Sequence, residues 1–374
     1  MFASRRIHSN LSFADKIYSM DYILLFLVLM LGIISMFAMY STAGGKFDYH
    51  TKSHILRFAV FFMLLFFVAF FELKFWFQSS LLIYIIFLIL LLGVKYFGLT
   101  SSGSQRWINL YIINLQPSEL MKIGLIMFLS KYYHRIPVQD VNKIKFLALP
   151  IIALISPVLL VVAQPDLGTA LLIAAGGVVV AWLAGVRIKF FAYASILFIS
   201  LAPIAISFLK PYQKTRILTF LNPDRDPLGA GYQIIQSKIA IGSGGFFGKG
   251  FLNGSQSYLD FLPEKHTDFI FTLFSEEFGF FGSTFILLLY FLIISRIIRI
   301  GHNTRSNFGK LFCYGFGTAF FIYVAVNMGM VLGLLPIVGA PLPIMSYGGS
   351  SMLAIMFGLG IVMSCQIHKD SPVN

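Results

Sequence analysis

Long apolar runs, separated by short polar and basic punctuation, are the dominant pattern along this chain. A helix crossing a bilayer needs about 20 predominantly apolar residues. Runs of that kind predict spans near 22–41, 55–71, 78–97, 118–133, 146–163, 167–185, 189–209, 268–295, 311–332 and 343–365. The fold class expected is all-α: a polytopic integral membrane protein of about ten helices. No internal repeat is visible. One large segment, 210–267, interrupts the series between the seventh and eighth spans. It contains a turn cluster, Asn222–Pro227 (NPDRDP), an amphipathic stretch near 232–241 and a glycine run, 242–250 (GSGGFFGKG). It is too rich in aromatic and aliphatic residues to stay disordered, and so long a loop is expected to carry function. The expected organisation is one membrane domain over 1–374, with a cytoplasmic tail at 1–20, an extracytoplasmic loop at 210–267 and a second cytoplasmic tail at 366–374.

Composition supports the membrane reading. Of 374 residues, 58% are hydrophobic and only 11% charged, against about 25% charged in soluble domains. The net charge of +13 does not point to nucleic acid, because the basic residues punctuate apolar runs instead of forming a stripe. Their distribution sets direction through the positive-inside rule. With the amino terminus inside, cytoplasmic segments hold fifteen Lys and Arg residues, from Arg5 and Arg6 to Lys369, and short outer loops hold five: Lys46, Lys52, Arg57, Lys95 and Arg106. Both termini are therefore expected in the cytoplasm. The first run is too long for a signal-peptide core, so an uncleaved first span is expected despite the small residues at Ser41-Thr42-Ala43. Cys313 and Cys365 sit inside apolar runs and are read as packing residues.

Polar groups at membrane depth mark function by default. Glu119 and Lys122, three apart at the start of the fourth span, share a helical face and can pair, as a structural pair or as part of a substrate site. Glu276 and Glu277 fall near mid-membrane, with Glu277 about 13 Å below Asp268 at 1.5 Å per residue. With no cation nearby in sequence, they must face a polar cavity, pair with another helix or be protonated. The densest constellation is Leu262–Phe271 (LPEKHTDFIF), which brings Glu264, Lys265, His266, Thr267 and Asp268 together at the outer mouth of a span. A carboxylate there can serve as general base or metal ligand; the plainer alternative is a helix cap. In the outer loop, Arg106 can clamp a phosphate and Trp107 can stack on a sugar or anchor at the headgroups. The glycine run lacks the ending of a phosphate-binding loop. The segment 333–351, broken by prolines and glycines, is either a cavity lining or a tight turn into a kinked helix.

Seven stretches carry a resemblance. They are Gly103–Ile108 (GSQRWI), Gln116–Lys122 (QPSELMK), Gln164–Thr169 (QPDLGT), Asp226–Tyr232 (DPLGAGY), Gln236–Gly245 (QSKIAIGSGG), Leu262–Phe271 and Pro341–Gly349 (PLPIMSYGG). In this order, through nearly the whole chain, they resemble the SEDS family (shape, elongation, division, sporulation). Leu167, Lys265 and the DPLGAGY stretch favour its rod-shape branch over its division branch. The resemblance implies a ten-span fold in the bacterial cytoplasmic (inner) membrane. It implies a peptidoglycan glycosyltransferase that polymerises lipid II during elongation, partnered by a class B penicillin-binding protein and other elongation-complex proteins. It places the family's essential acid at Asp268 and its sensitive tryptophan at Trp107. The expected mechanism uses Asp268 as base or as ligand of a divalent cation such as Mg or Mn, with no tightly bound cofactor. Arg106, Lys122, Lys265 and Lys238 are the candidate counter-charges, and Trp107, Glu119, Asp166, Glu264, His266, Thr267 and Ser346 complete the substrate-site candidates. From the residues alone, a lipid II flippase suits the same spans and intramembrane acids, and a noncatalytic scaffold for the penicillin-binding protein is the third reading.

Overall fold

The computed structural model describes residues 12–101, 104–109, 114–207, 211–222, 230–255 and 264–373. The tail residues Arg5 and Arg6, Gly103, residues 223–227 of the turn cluster with 228–229 after it, and Leu262-Pro263 lie outside these ranges. After a short helix α1 (Phe13–Tyr18), the chain forms α2 (Tyr22–Thr42), α3 (Tyr49–Phe70) and α4 (Leu73–Phe97). Then come α5 (Pro117–His134), α6 (Ile144–Ala163), α7 (Leu167–Leu183) and α8 (Ile188–Ser207). Two shorter helices, α9 (Pro211–Leu221) and α10 (Ala230–Ser243), lie inside the long loop. The chain ends with α11 (Ile270–Asn303), α12 (Asn307–Val331) and α13 (Gly349–Ile367). Among the described residues, ten helices thus reach 17 residues or more, one for each predicted span. Seven of them are long and apolar enough by themselves to cross a membrane; α5 carries buried charge, and α7 and α8 offer shorter apolar stretches.

Local chemistry explains the boundaries. The carboxylates of Asp21, Asp48 and Asp166 each accept a backbone N–H of the first turn of α2, α3 and α7, at 2.8, 2.7 and 3.1 Å, satisfying donors that have no partner within the helix. Pro117 opens α5, where its missing N–H costs nothing. The second span starts at 49 instead of 55 because Thr51 and His54, polar residues of its first turns, face the protein and are buried. The tenth starts at 349, not 343. Residues 342–346 close a turn in which Ser346 N–H donates to the Leu342 carbonyl and Leu342 N–H to the Ser346 hydroxyl, and Ile344 holds φ 68°. The expected carboxy-terminal tail begins after Ile367 and packs back on the protein: Arg305 N–H donates to the Lys369 carbonyl at 2.8 Å, and Val373 is buried.

The all-α expectation needs one addition. The outer segment after α4 forms a small antiparallel sheet, β1 (Leu99–Ser101), β2 (Ser104–Asn109) and β3 (Asn114–Leu115), in the order β1-β2-β3. Trp107 stands opposite Leu99 on it. Arg106 and Trp107 are thereby held on a strand instead of a free loop.

The glycine run is a strap laid on a break in α11. Gly279, at φ 65° and ψ −158°, interrupts that helix. The lost helical bonds are replaced from the strap: Phe280 and Phe281 N–H donate to the carbonyls of Gly245 and Phe246, and Lys249 and Gly250 N–H donate to those of Glu276 and Glu277. Part of the expected outer loop therefore reaches two turns down α11. Irregular backbone at such depth is tolerated where protein satisfies it. Gly279→Ala is expected to lower the melting temperature in detergent: its backbone conformation is essentially glycine-only and costs about 1–3 kcal/mol for other residues, and a Cβ would lie 2.3 Å from the Gly248 nitrogen.

Candidate active site

Asp268 sits one residue before Phe269, the N-cap of α11, in a turn whose three carbonyls are each held by a different donor. Tyr347 N–H donates to the His266 carbonyl at 2.8 Å, the Ser346 hydroxyl to that of Thr267 at 2.6 Å, and the Asn327 amide to that of Asp268 at 3.0 Å. The turn is fixed through its backbone, which leaves the Asp268 carboxylate available for chemistry. Ser346 is buried and its hydroxyl is used in this clasp, so it positions the turn instead of meeting substrate.

The broken segment 333–348 lines the site. Gly339, at φ 72°, brings backbone so close that a Cβ there would lie 3.6 Å from Asp268 Oδ2, and Ala340, Leu342, Ile344 and Met345 are buried. The neighbouring Ile337 carbonyl accepts the Arg216 guanidinium at 3.3 Å.

A charged network extends from Asp268 toward α5 and α7. Arg106 Nε lies 3.3 Å from Asp166 Oδ2. Asp166 is buried and also takes the Thr169 hydroxyl at 2.8 Å; its charge reaches both Asp268 and Lys122. Lys122 Nζ lies 2.7 Å from Glu119 Oε1 and 4.0 Å from the Tyr323 ring centre, and the Tyr323 hydroxyl donates to the same carboxylate at 3.3 Å. The pair inferred from spacing thus forms, in the interior. On the other side, exposed Glu264 accepts the Thr267 hydroxyl at 2.7 Å.

Burial, then the negative charge of Glu264, push the Asp268 carboxyl up to about 7, while the guanidinium charges of Arg216 and Arg106 pull it down. A general base works best with its pKa near the working pH. The rate is therefore expected to rise with pH through a midpoint near 7 as Asp268 loses its proton. Arg216→Gln removes a cation that favours the carboxylate and should move the midpoint up; Glu264→Gln should move it down. A pH–rate profile that stays put in both variants would contradict this electrostatic picture.

Other candidates fall elsewhere. The exposed Lys238 side chain lies over Gly333, at the end of α12, on a different part of α10 from the Ser237 hydroxyl that joins Thr272 at 2.8 Å. His266 turns away from the charged network, toward Thr42 at 3.0 Å and the His50 ring at 4.8 Å. Lys265 and Trp107 are half-buried beside the site. Arg216 was not foreseen: it lies in the long loop outside any of the seven stretches. Among the described residues no group of three or more His, Cys, Asp or Glu could hold a metal ion; a cation on Asp268 would need substrate oxygens as further ligands.

Residues 17–371 match the model of the family FtsW/RodA/SpoVE, described as a cell cycle protein. The chain is 46% identical over 290 residues to the peptidoglycan glycosyltransferase MrdB of Escherichia coli strain K12, covering 77% of each. Among solved structures it is similar to a chain of a peptidoglycan synthase complex that coordinates polymerization and crosslinking, with a TM-score of 0.80, 30% identity, and 94% and 98% of the two chains covered. It is also similar to the rod shape determining protein RodA of Thermus thermophilus, with a TM-score of 0.71, 27% identity, and 94% and 97% covered.

Proposed function

The chain belongs to the FtsW/RodA/SpoVE family, and on that premise we propose that it is a peptidoglycan glycosyltransferase that polymerises lipid II, with Asp268 as general base. The observation that carries this reading is the Asp268 carboxyl, poised near neutrality in a backbone-clamped turn within reach of the charges of Arg106 and Arg216, with Lys122 further along the same network through Asp166. An acceptor sugar hydroxyl attacks the anomeric carbon of the donor. Asp268 takes the hydroxyl proton, and the bond to the lipid pyrophosphate breaks with its electron pair on the departing phosphate oxygen. The fixed cations stabilise that developing charge, in a site where such stabilisation is the larger effect. Trp107 stacks on sugar at the rim.

The chain lies in the bacterial cytoplasmic membrane as one SEDS-type domain, with both termini in the cytoplasm and residues 210–267 with the site on the outer side. Its partner is a class B penicillin-binding protein, in keeping with the synthase complex to which it is similar. A flippase needs a polar path through the membrane. Here Glu276 and Glu277 are 0% and 3% exposed and already bonded within the protein, which favours chemistry at the outer mouth.

The test is glycan synthesis in detergent, where no second leaflet exists and transport is without consequence. The purified complex should convert lipid II into polymer. A folded, partner-bound complex that makes none would return the flippase and scaffold readings. Loss of product on adding a chelator would assign Asp268 to a cation instead of a proton.

A further inference from the structure

The mechanism leaves unused two buried acids about two turns into α11. Their surroundings differ. Glu276 Oε1 takes Lys249 Nζ at 2.6 Å and the Ser255 hydroxyl at 2.8 Å, and Lys249 also reaches Ser255 at 2.9 Å. That group pairs opposite charges, and it fastens the strap to α11. Glu277 has a different set of partners. It accepts backbone N–H groups of Leu252 and Gly254 in the strap and the hydroxyl of Ser41 near the end of α2. One side chain therefore joins the strap, the broken helix and α2.

The residue after Ser41 continues the connection. Thr42 Oγ1 lies 2.7 Å from the Met39 carbonyl and 3.0 Å from His266 Nδ1. A hydroxyl has one proton to give. Given to the carbonyl, it leaves Thr42 as acceptor for a proton on His266 Nδ1; given to Nδ1, it makes Thr42 the donor, and either way the contact needs the hydroxyl. The His266 ring is further fixed by stacking on His50 at 4.8 Å, and its backbone stands two residues before Asp268 in the clamped turn.

We propose that Glu277 is a positioning residue for Asp268, acting through Ser41, Thr42 and His266. The inference rests on the reading of Asp268 as the base. The clasp by Asn327, Ser346 and Tyr347 fixes the turn from α12 and the segment before α13; the Glu277 connection fixes it from α2. A misplacement of about 1 Å at a reacting group can cost on the order of 100-fold in rate. Because the connection runs through residues other than the partners of Arg106 and Lys122, loosening it should lower kcat and leave KM for lipid II unchanged.

The experiment measures kcat, KM and the pH–rate midpoint of the full complex carrying Glu277→Gln, Thr42→Val or Thr42→Ser. Thr42→Val keeps the shape and loses the hydroxyl; Thr42→Ser keeps the hydroxyl. Glu277→Gln and Thr42→Val are expected to lose about 10- to 100-fold in kcat, with KM and the midpoint near 7 retained, and Thr42→Ser is expected to stay near wild type. Wild-type kcat in Thr42→Val, equal losses in Thr42→Val and Thr42→Ser, or a loss carried by KM overturns the proposal. If Glu277→Gln fails to fold, the Thr42 pair still decides. Failure here leaves the loss expected of Asp268→Asn untouched, whereas full activity of Asp268→Asn would remove the base assignment itself.

Discussion

Asp268→Asn is expected to slow glycan polymerisation by about 10²- to 10⁴-fold, the usual worth of a general base, in a protein that still folds and binds its partner. The substitution is nearly isosteric; it removes the carboxylate's charge and with it the ability to take a proton. The turn should hold, because its three carbonyls are clasped by the Tyr347 N–H, the Ser346 hydroxyl and the Asn327 amide without help from the Asp268 side chain. The check is the initial rate of polymer formation by the purified complex, with a thermal melt alongside. An unchanged melt with the rate lost separates chemistry from folding. Asp268→Glu, which keeps a carboxylate but moves it by a methylene, should recover part of the rate.

Lys122→Met is expected to cost both stability and activity, for separable reasons. Lys122 and Glu119 are each 5% exposed. Removing the cation leaves a buried carboxylate with, among the described residues, the Tyr323 hydroxyl at 3.3–3.4 Å as its remaining side-chain donor, and breaking a buried pair from one side typically costs about 3–5 kcal/mol. Replacing both partners avoids the orphaned charge, so Glu119→Gln with Lys122→Met should recover most of the melting temperature. Activity should stay low in the double variant, because the proposed mechanism draws on the Lys122 charge to stabilise the leaving phosphates. Recovery of both together would show that the pair only holds the fold.

Much of the fold was legible because bilayer-crossing helices leave a coarse signal: the ten apolar runs each became a helix, and the Glu119–Lys122 pair followed from a spacing of three. What was not legible depends on contacts between distant segments. The cation for Glu276 is Lys249, 27 residues away, and nothing local announces that a glycine strap will dip back beside α11. The break at Gly279 hid inside an apolar run, although glycines at 248 and 279 on facing segments are the feature that permits the close approach. Pro343 suggested a helix start, but Ile344 adopts a positive φ and the helix waits for Gly348 as its cap. At the site, the 262–271 stretch puts Glu264 and Asp268 four residues apart, and the charges of Glu264 and of Asp166, from a separate stretch, both act on Asp268. The motifs did not distinguish Ser346 and His266, whose polar atoms hold the turn, from residues that face the charged network. Arg216 was missed because a lone arginine in a long segment between spans carries no spacing signal.

The most direct test of Asp268 as base is the rate of glycosidic bond formation by the wild-type and Asp268→Asn complexes across pH 5.5 to 8.5, a range of about 1.5 units on either side of the carboxyl's value of about 7. With Asp268 as base, the wild-type rate rises through about 7 and the Asp268→Asn rate is low and without that rise. An Asp268→Asn complex that keeps the wild-type rate, or shows the same rise near neutral pH, would contradict it.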